Sequence, residues 1–169
     1  MANRADADTP LTIREATAAD EAVLGALFVE LNELHAEALP DRFRGVDLAA
    51  GREFVRQHMV QLAEAGGTLL VAAHEGRVIG FVEVGVRHAP DLSIMVSRRY
   101  AHESALAVTA GFRRRGVGQA LMERAHGWAR DQGLDHVEVV VYDFNGEAAA
   151  LYTKLGYAGL SRRLWRSLR

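Results

Sequence analysis

A glycine turn between a predicted strand and a predicted helix constrains the fold of this chain most strongly. The stretch SALAVTA has the apolar pattern of a β-strand, and the residues from about Gly116 to Asp131 have helical spacing. Three arginines and two glycines lie between them, in the stretch FRRRGVG. Backbone N–H groups at a helix start lack intrahelical partners and lie at the positive end of the helix dipole. The turn can therefore bind an anion, and a solvated loop is the alternative.

Known phosphate-binding motifs can be compared with this turn. A Walker A loop needs Lys and Ser or Thr after its glycine, whereas Gln119 follows Gly118. A dinucleotide fingerprint needs a third glycine where Leu121 stands. The stretch RRRGVG instead matches the pattern Arg/Gln-x-x-Gly-x-Gly/Ala, in which the missing glycine side chains let a ligand approach the backbone.

Further elements flank the strand–turn–helix. The spacing of apolar residues predicts the order β α α β β β α β α β, which corresponds to one α/β or α+β domain with a mixed sheet. Local signals include a capping box at Thr17 and Asp20, a hairpin turn at Glu75 and Gly76, and an asparagine N-cap before the last helix. The apolar stretch HVEVVVYD predicts a central strand buried on both faces, and YAGLSRRLWRSL predicts a final strand.

The composition excludes several classes of protein. The chain has 169 residues, a formal net charge of −2 and no cysteine, which excludes disulfides, thiol nucleophiles and cysteine-based zinc sites. The charge provides no global attraction to nucleic acid or acidic membranes, and the seven histidines show no metal-binding spacing. We expect a flexible tail over residues 1–9 and a single domain over 10–169. Without an apolar leader or a membrane-length run, we expect a cytoplasmic protein.

Two motifs together resemble those of the GNAT superfamily, the acyl-CoA-dependent N-acyltransferases. LAVTAGFRRRGVGQALMERAHGWARDQG resembles the strand, pyrophosphate loop and helix of the family, and NGEAAALYTKLGY resembles its second signature. TIREATAADEAVL and VAAHEGRVIGFVEV resemble the beginning and middle of the family fold, so the resemblance covers nearly all of residues 11–169. It implies a mixed, mostly antiparallel twisted sheet flanked by about four helices.

The resemblance also implies an activity. A member of this family would transfer an acetyl group from acetyl-CoA, without a metal, to a primary amine of a small molecule or peptide. The amine would attack directly in a ternary complex. The family resemblance allows a homodimer and implies no nucleic-acid or membrane partner. A non-catalytic acyl-CoA sensor would have the same cosubstrate site. RNA binding by the C-terminal arginines is a weaker alternative, because clustered aromatic residues are absent there.

By the same resemblance, backbone groups late in the fourth strand bind the pantetheine arm and thioester, and the glycine turn binds the pyrophosphate. The predicted cosubstrate-binding residues are Leu106, Ala107, Val108, Arg113, Arg114, Arg115, Gly116, Val117, Gly118, Gln119, Asn145 and Tyr152. Two of these assignments have ordinary alternatives. Arg114 could point to solvent or pair with an acid, and Asn145 could serve only as a helix N-cap.

Tyr152 and Glu103 are the predicted catalytic residues. Tyr152 corresponds to the family tyrosine near the thioester sulfur, although it could instead be a core residue beside Ala148 and Leu155. Glu103 corresponds to a glutamate that many relatives use as a general base. A solvated charge at the start of a strand explains Glu103 equally simply, and we favour that interpretation from sequence. Glu83 and Glu138 are weaker candidates, and the identity of the acceptor amine stays open.

Overall fold

A mixed five-stranded sheet organises the fold. The structure, a computed structural model, describes residues 10–168. The strands lie in the order β1 (Thr12–Glu15), β2 (Thr68–His74), β3 (Arg77–His88), β4 (Arg99–Val108) and β5 (Val137–Val139). β1 to β4 pair antiparallel, and β5 pairs parallel with β4. The helices are α1 (Glu21–Ala38), α2 (Leu48–Glu64), α3 (Val117–Asp131) and α4 (Gly146–Lys154). The predicted fold class is confirmed.

Two apolar clusters cover the two faces of the sheet. Leu70 and Val82 point to one face, where they pack with α3 and with Tyr152 of α4. Val71 and Phe81 point to the other face, where they pack with α1 and α2. Successive side chains of a strand alternate between faces, so neighbouring residues of β2 and β3 supply both cores. We refer to these surfaces as the α3/α4 face and the α1/α2 face.

Short-range signals in the sequence are confirmed. The backbone N–H of Thr17 donates to the Asp20 carboxylate at 2.8 Å, which forms the capping box before α1. Glu75 and Gly76 have φ of 51° and 74°, the left-handed pair that a tight hairpin turn of this kind requires. Asn145 accepts from the backbone N–H of Ala148 at 3.1 Å and caps α4. Each signal depends only on residues a few positions apart.

Two strand predictions are wrong. Residues 157–168 form no strand, and Leu160, Leu164 and Leu168 are exposed. HVEVVVYD contributes only three residues to β5, which lies at the edge of the sheet, and Val140 is exposed. An apolar run becomes a central strand only if strands pair with both of its edges. Among residues 10–168, only β4 pairs with β5.

β4 begins at Arg99, before the predicted stretch SALAVTA, so the loop between β3 and β4 covers only residues 89–98. Glu103 therefore lies in the middle of a strand. No helix formed by residues 10–168 is both long and apolar enough to cross a membrane. The flexible tail predicted over 1–9 lies outside the described residues.

Candidate functional site

A gap opens where β4 and β5 separate. The two strands are paired only from Ala101 with Val137 to Glu103 with Val139. β4 continues to Val108, while β5 ends. Among the described residues, no strand pairs with the outer edge of β4 beyond Glu103. Backbone groups on this edge are available to a ligand.

The hydrogen-bond alternation of β3 and β4 identifies these backbone groups. Thr109 N–H donates to the Ile79 carbonyl at 2.9 Å, so this opposing pair is hydrogen-bonded. In an antiparallel ladder such pairs alternate with non-bonded ones. Ala107, two residues earlier, then bonds to β3, whereas the backbone groups of Leu106 and Val108 point toward the gap. Of the three residues predicted on this strand, Leu106 and Val108 therefore direct backbone groups toward the gap, whereas those of Ala107 pair with β3.

The glycine turn adopts a left-handed conformation at two positions. Arg114 has φ of 62° and Gly116 has φ of 83°, and Gly116 is the N-cap of α3. Left-handed residues that alternate with right-handed ones can turn successive N–H groups toward one concavity, which suits an anion. A Cβ built on Gly116 would meet no atom within 4 Å, so its backbone conformation explains the glycine.

Gly118 lies close to α4. A Cβ at Gly118 would lie 3.3 Å from Cδ2 of Leu151, on α4. The missing side chain thus helps the first turn of α3 to pack against α4, and the close approach of a ligand to this backbone stays a prediction. Val117, between the two glycines, is buried in the core of the α3/α4 face.

The three arginines have different surroundings. Arg113 donates from Nε to the Val108 carbonyl at 2.9 Å and pairs through Nη2 with Glu30 of α1 at 2.5 Å. The acid pairing that we weighed for Arg114 thus occurs at Arg113. Arg115 stacks its guanidinium over the ring of Phe112, 5.4 Å from the centroid. Within the described part of the chain, Arg114 forms no ion pair, so its charge is available at the turn.

Two polar residues lie at the starts of α3 and α4. Gln119 donates to Glu123 and accepts from Lys154 of α4, both at 2.8 Å. The side-chain oxygen of Asn145 caps α4, and its amide N–H₂ is left to donate elsewhere. The capping and ligand-binding interpretations of Asn145 are therefore compatible.

Glu103 and Tyr152 form a buried pair on the α3/α4 face. The Tyr152 hydroxyl donates to the Glu103 carboxylate at 2.7 Å, and only 4% of Glu103 is exposed. Burial raises the pKa of Glu103 to about 7, the bond from Tyr152 opposes this rise, and the charge of Glu83 adds to it. Burial and the Glu103 charge also raise the pKa of Tyr152. The favoured interpretation of Glu103 as a solvated charge is wrong, because the strand begins before it, at Arg99, and Tyr152 of α4 contacts it.

A second buried carboxylate lies on the opposite face. Glu83 of β3 is 7% exposed and contacts Nε2 of His58 at 2.8 Å. Glu83 was a weaker candidate from the sequence, and His58 of α2, 25 residues away, was not among the predicted site residues. A histidine within the apolar stripe of α2 was the available signal. The third candidate, Glu138, is paired with Arg98 at 2.9 Å.

A cavity of about 280 Å³ borders this second pair between α1, α2 and the sheet. Its walls carry stacked rings: the centroids of Phe28 and Phe54 are 4.3 Å apart, and those of Phe54 and His58 are 5.1 Å apart. The cavity reaches β4 at Ser104 and Ala105. It therefore ends directly before the strand segment whose backbone faces the gap.

The described residues contain no group of three or more His, Asp or Glu side chains positioned to hold a metal ion. The chemistry available at the site is that of backbone amides, a buried tyrosine–glutamate pair and a histidine–glutamate pair on the other side of the sheet.

Comparison with known proteins identifies relatives of this chain. The family model described as Acetyltransferase (GNAT) family matches residues 28–157. Thialysine N-epsilon-acetyltransferase of Caenorhabditis elegans is 34% identical over 64 residues, which are 38% of this chain and 40% of that protein. The uncharacterized N-acetyltransferase YhfO of Bacillus subtilis is 25% identical over 147 residues, 87% of this chain and 89% of the relative.

Solved structures share the fold. The F44R mutant of the BH1408 protein from Bacillus halodurans superposes with a TM-score of 0.80 at 25% identity, covering 94% of this chain and 99% of that one. The aminoglycoside N-acetyltransferase AAC(6')-Iy, solved in complex with CoA, has a TM-score of 0.70 at 18% identity, with 95% and 96% coverage.

Proposed function

The chain belongs to the acetyltransferase (GNAT) family, and we propose that it transfers an acetyl group from acetyl-CoA to a primary amine. The acceptor is a small molecule or a peptide, and the amine attacks directly in a ternary complex. The observation that carries the proposal is the gap beyond Glu103, where the outer edge of β4 is followed by the left-handed turn at the start of α3. An elongated ligand with an amide-containing arm and a phosphate end suits this arrangement.

The residues present fit acetyl-CoA at both ends. The amides of a pantetheine arm can pair with the free backbone groups of Leu106 and with the free N–H of Val108, as an added strand would. The turn from Arg114 to Gln119 offers N–H groups and arginine charge to the pyrophosphate. Arg113 acts differently in this proposal, because it orients the Val108 carbonyl and ties the turn to Glu30. The amide of Asn145 remains as a donor to the arm.

When bound, acetyl-CoA supplies an acetyl group activated as a thioester. The free N–H of Leu106 can donate to the carbonyl oxygen on which negative charge develops during attack, while the N–H of Val108, nearer the turn, is left to the pantetheine arm. Both groups sit on a paired strand and need little reorganisation. Holding the amine and the thioester together contributes most of the remaining acceleration.

Tyr152 acts on the leaving sulfur through its hydrogen bond with Glu103. A hydroxyl has a single hydrogen to donate, and an ionised Glu103 takes it. A protonated Glu103 can itself donate to the Tyr152 oxygen, which frees the Tyr152 hydrogen for the departing thiolate. Because the pKa of Glu103 is about 7, both states are populated near neutral pH. The protonation state of Glu103 thereby decides whether Tyr152 donates to Glu103 or to the leaving sulfur.

The test is a panel of primary amines with acetyl-CoA, followed by release of free CoA thiol and by the mass of the acetylated product. Thialysine and an aminoglycoside belong in the panel because similar proteins carry those names. Acetyl-CoA at about 100 times its dissociation constant should also stabilise the fold by about 2.7 kcal/mol. No change in melting temperature at millimolar acetyl-CoA, together with no product, would overturn the proposal.

A further inference from the structure

We propose that the cavity bordered by Phe28, Phe54 and His58 binds the acceptor, that this acceptor is a small primary monoamine with a flat apolar body, and that His58 removes its proton while Glu83 positions His58. This inference rests on the proposed function and deepens it. It assigns the α1/α2 face to the amine and leaves the Glu103–Tyr152 pair to the thioester side.

The size and walls of the cavity indicate the shape of the acceptor. Its volume of about 280 Å³ lies at the lower end of the roughly 300–1,000 Å³ typical of ligand pockets. Phe28, Phe54 and His58 form a row of rings with interplanar angles of 18° and 15°, and Phe54 is 44% exposed. A flat apolar group can stack on such a row and cover it. A whole peptide or aminoglycoside does not fit inside this volume.

The charges favour a single amino group. Glu83 is the one carboxylate of the lining, and Arg87 of the same strand also lines the cavity. The elements packed on the pair contribute mainly apolar side chains: Leu24 and Phe28 come from α1, and Phe54 and Val55 from α2. One ammonium group is attracted to Glu83, whereas a second would meet Arg87. Polyamines are therefore disfavoured.

The position of the cavity allows it to deliver an amine to the thioester. The lining includes Ser104 and Ala105 of β4. The next residue, Leu106, is the first whose backbone groups face the gap. Ser104 lies at the register irregularity between β3 and β4, where the partner of Val84 is Glu103 and that of Glu83 is Ala105. The cavity and the gap thus meet at one point of the strand.

The His58–Glu83 pair has the arrangement of an oriented general base. With Nε2 carrying the hydrogen that is donated to Glu83, the lone pair of the imidazole is on Nδ1. No side chain or backbone group of residues 10–168 forms a hydrogen bond to Nδ1. A carboxylate that holds one tautomer and stabilises the imidazolium is the same device that orients histidine in hydrolase triads. His58 is the base, and Glu83 is the positioning residue.

The reaction needs no reactant other than the amine and acetyl-CoA. The ammonium group gives one proton to Nδ1 of His58, and the neutral amine then forms a C–N bond to the acetyl carbon while the C–S bond breaks. The sulfur leaves with the electron pair, and the nitrogen loses its second proton, which the thiolate takes up. The imidazolium returns its proton to solvent. The products are the N-acetylated amine, free CoA and one proton.

The acceptor class is tested with phenethylamine, butylamine, spermidine and kanamycin as probes. We expect phenethylamine to have the highest kcat/KM, and to bind without acetyl-CoA in isothermal titration calorimetry. Phe54→Leu should raise the KM and the Kd for phenethylamine by up to about tenfold, the value of one aromatic stacking contact, with little change in kcat. A preference for kanamycin or spermidine would overturn the acceptor class.

The base is tested with His58→Gln, whose amide nitrogen can still donate to Glu83. We expect kcat to fall about 10²–10⁴-fold, far more than the Kd for phenethylamine rises through loss of the His58 ring, with the acetyl-CoA melting shift nearly unchanged. The matched control is His88→Gln, the same change at an exposed histidine of β3, which should keep the parental kcat. Added imidazole should partly restore turnover to His58→Ala, an effect that a purely structural histidine would not show.

Glu83 is tested by Glu83→Gln. We expect a smaller loss of kcat than for His58→Gln and a higher KM for phenethylamine, because the charge that attracts its ammonium group is lost. The ¹⁵N spectrum of His58 should show the hydrogen on Nε2 in the parent and a mixture of tautomers in the variant.

Parental kcat in His58→Gln would overturn the assignment of the base. If every amine fails while acetyl-CoA still raises the melting temperature, transfer itself is refuted. If the other amines react and phenethylamine does not, only this inference fails.

Discussion

Glu83 and Glu103 lie on neighbouring strands, are both buried, and each has one strong hydrogen bond, yet their surroundings differ. Glu103 on the α3/α4 face is bonded to Tyr152, which is itself buried. Glu83 on the α1/α2 face is bonded to a partly exposed His58 and borders a cavity. The partner and the solvent access, rather than the residue type, decide what each carboxylate can do.

The difference assigns distinct chemistry to the two faces. A carboxylate whose partner is a hydroxyl can redirect the hydrogen bond of that hydroxyl, whereas one whose partner is an imidazole can support a histidine base. The two sites also interact, because the charge of Glu83 contributes to the raised pKa of Glu103. When His58 gains a proton, part of that repulsion is cancelled across the sheet.

The largest expected effect is the pH dependence of stability that the buried Glu103 causes. Its pKa rises from 4.5 to about 7 on folding, so the folded protein binds more protons than the unfolded chain between these pH values. The stabilising contribution is present below about pH 4.5 and is lost as pH rises through about 7. Relative to Glu103→Gln, the parent should lose about 3 kcal/mol of unfolding free energy between pH 4.5 and 8. Urea unfolding across this range measures the difference, and parallel curves for the two proteins would contradict it.

Tyr152→Phe tests whether the buried pair on the α3/α4 face takes part in catalysis. We expect kcat and kcat/KM to fall together by about 10²-fold, because the hydroxyl acts on the leaving thiolate in the transition state. Glu103 also loses its partner, which should lower stability by about 1–3 kcal/mol at pH 8 and by less at pH 5.

The control for this variant is Tyr157→Phe, which removes a hydroxyl bonded to His126 at 2.7 Å on the same face and should leave kcat unchanged. Steady-state kinetics and melting curves measure both variants. An unchanged kcat with a large fall in melting temperature would make Tyr152 a core residue.

A third, smaller effect separates backbone from packing roles within the α3/α4 face. Gly116→Ala places a Cβ at φ of 83° and should cost about 1–2 kcal/mol of stability, with weaker acetyl-CoA binding. Gly118→Ala meets only the end of the Leu151 side chain, and the gain in helix propensity offsets part of the contact. Thermal unfolding and acetyl-CoA titration of both variants test this order. Equal losses would remove the distinction between the two glycines.

The smallest effect is expected where the two faces are linked, at Arg113 and Glu30. Both side chains are substantially exposed, so Arg113→Ala should lower stability by less than about 1 kcal/mol. If Arg113 acts through the Val108 carbonyl, the variant should weaken CoA and pantetheine equally. A selective loss of CoA affinity in paired titrations would return Arg113 to the phosphates, as the sequence motif suggested.

The strand–turn–helix, the hairpin and the helix caps were predictable because their signals are local. Glu75–Gly76 and Asn145 satisfy backbone groups within a few residues, and no distant part of the chain can change that requirement. The family resemblance also brought Tyr152 and Glu103 into one list. It did not show that they touch, because they are separated by 49 positions.

The sequence by itself determined where the chain turns and which segments form the helices and the first four strands, and it predicted an anion site at the start of α3. Only the tertiary structure decided that β5 is an edge strand, that Gly118 faces Leu151 of α4, and that His58 meets Glu83. The physical reason is that a side chain's neighbours across a sheet depend on strand pairing and register. A shift of one residue would move Glu83 to the other face and away from His58, and no short segment of the sequence records that register.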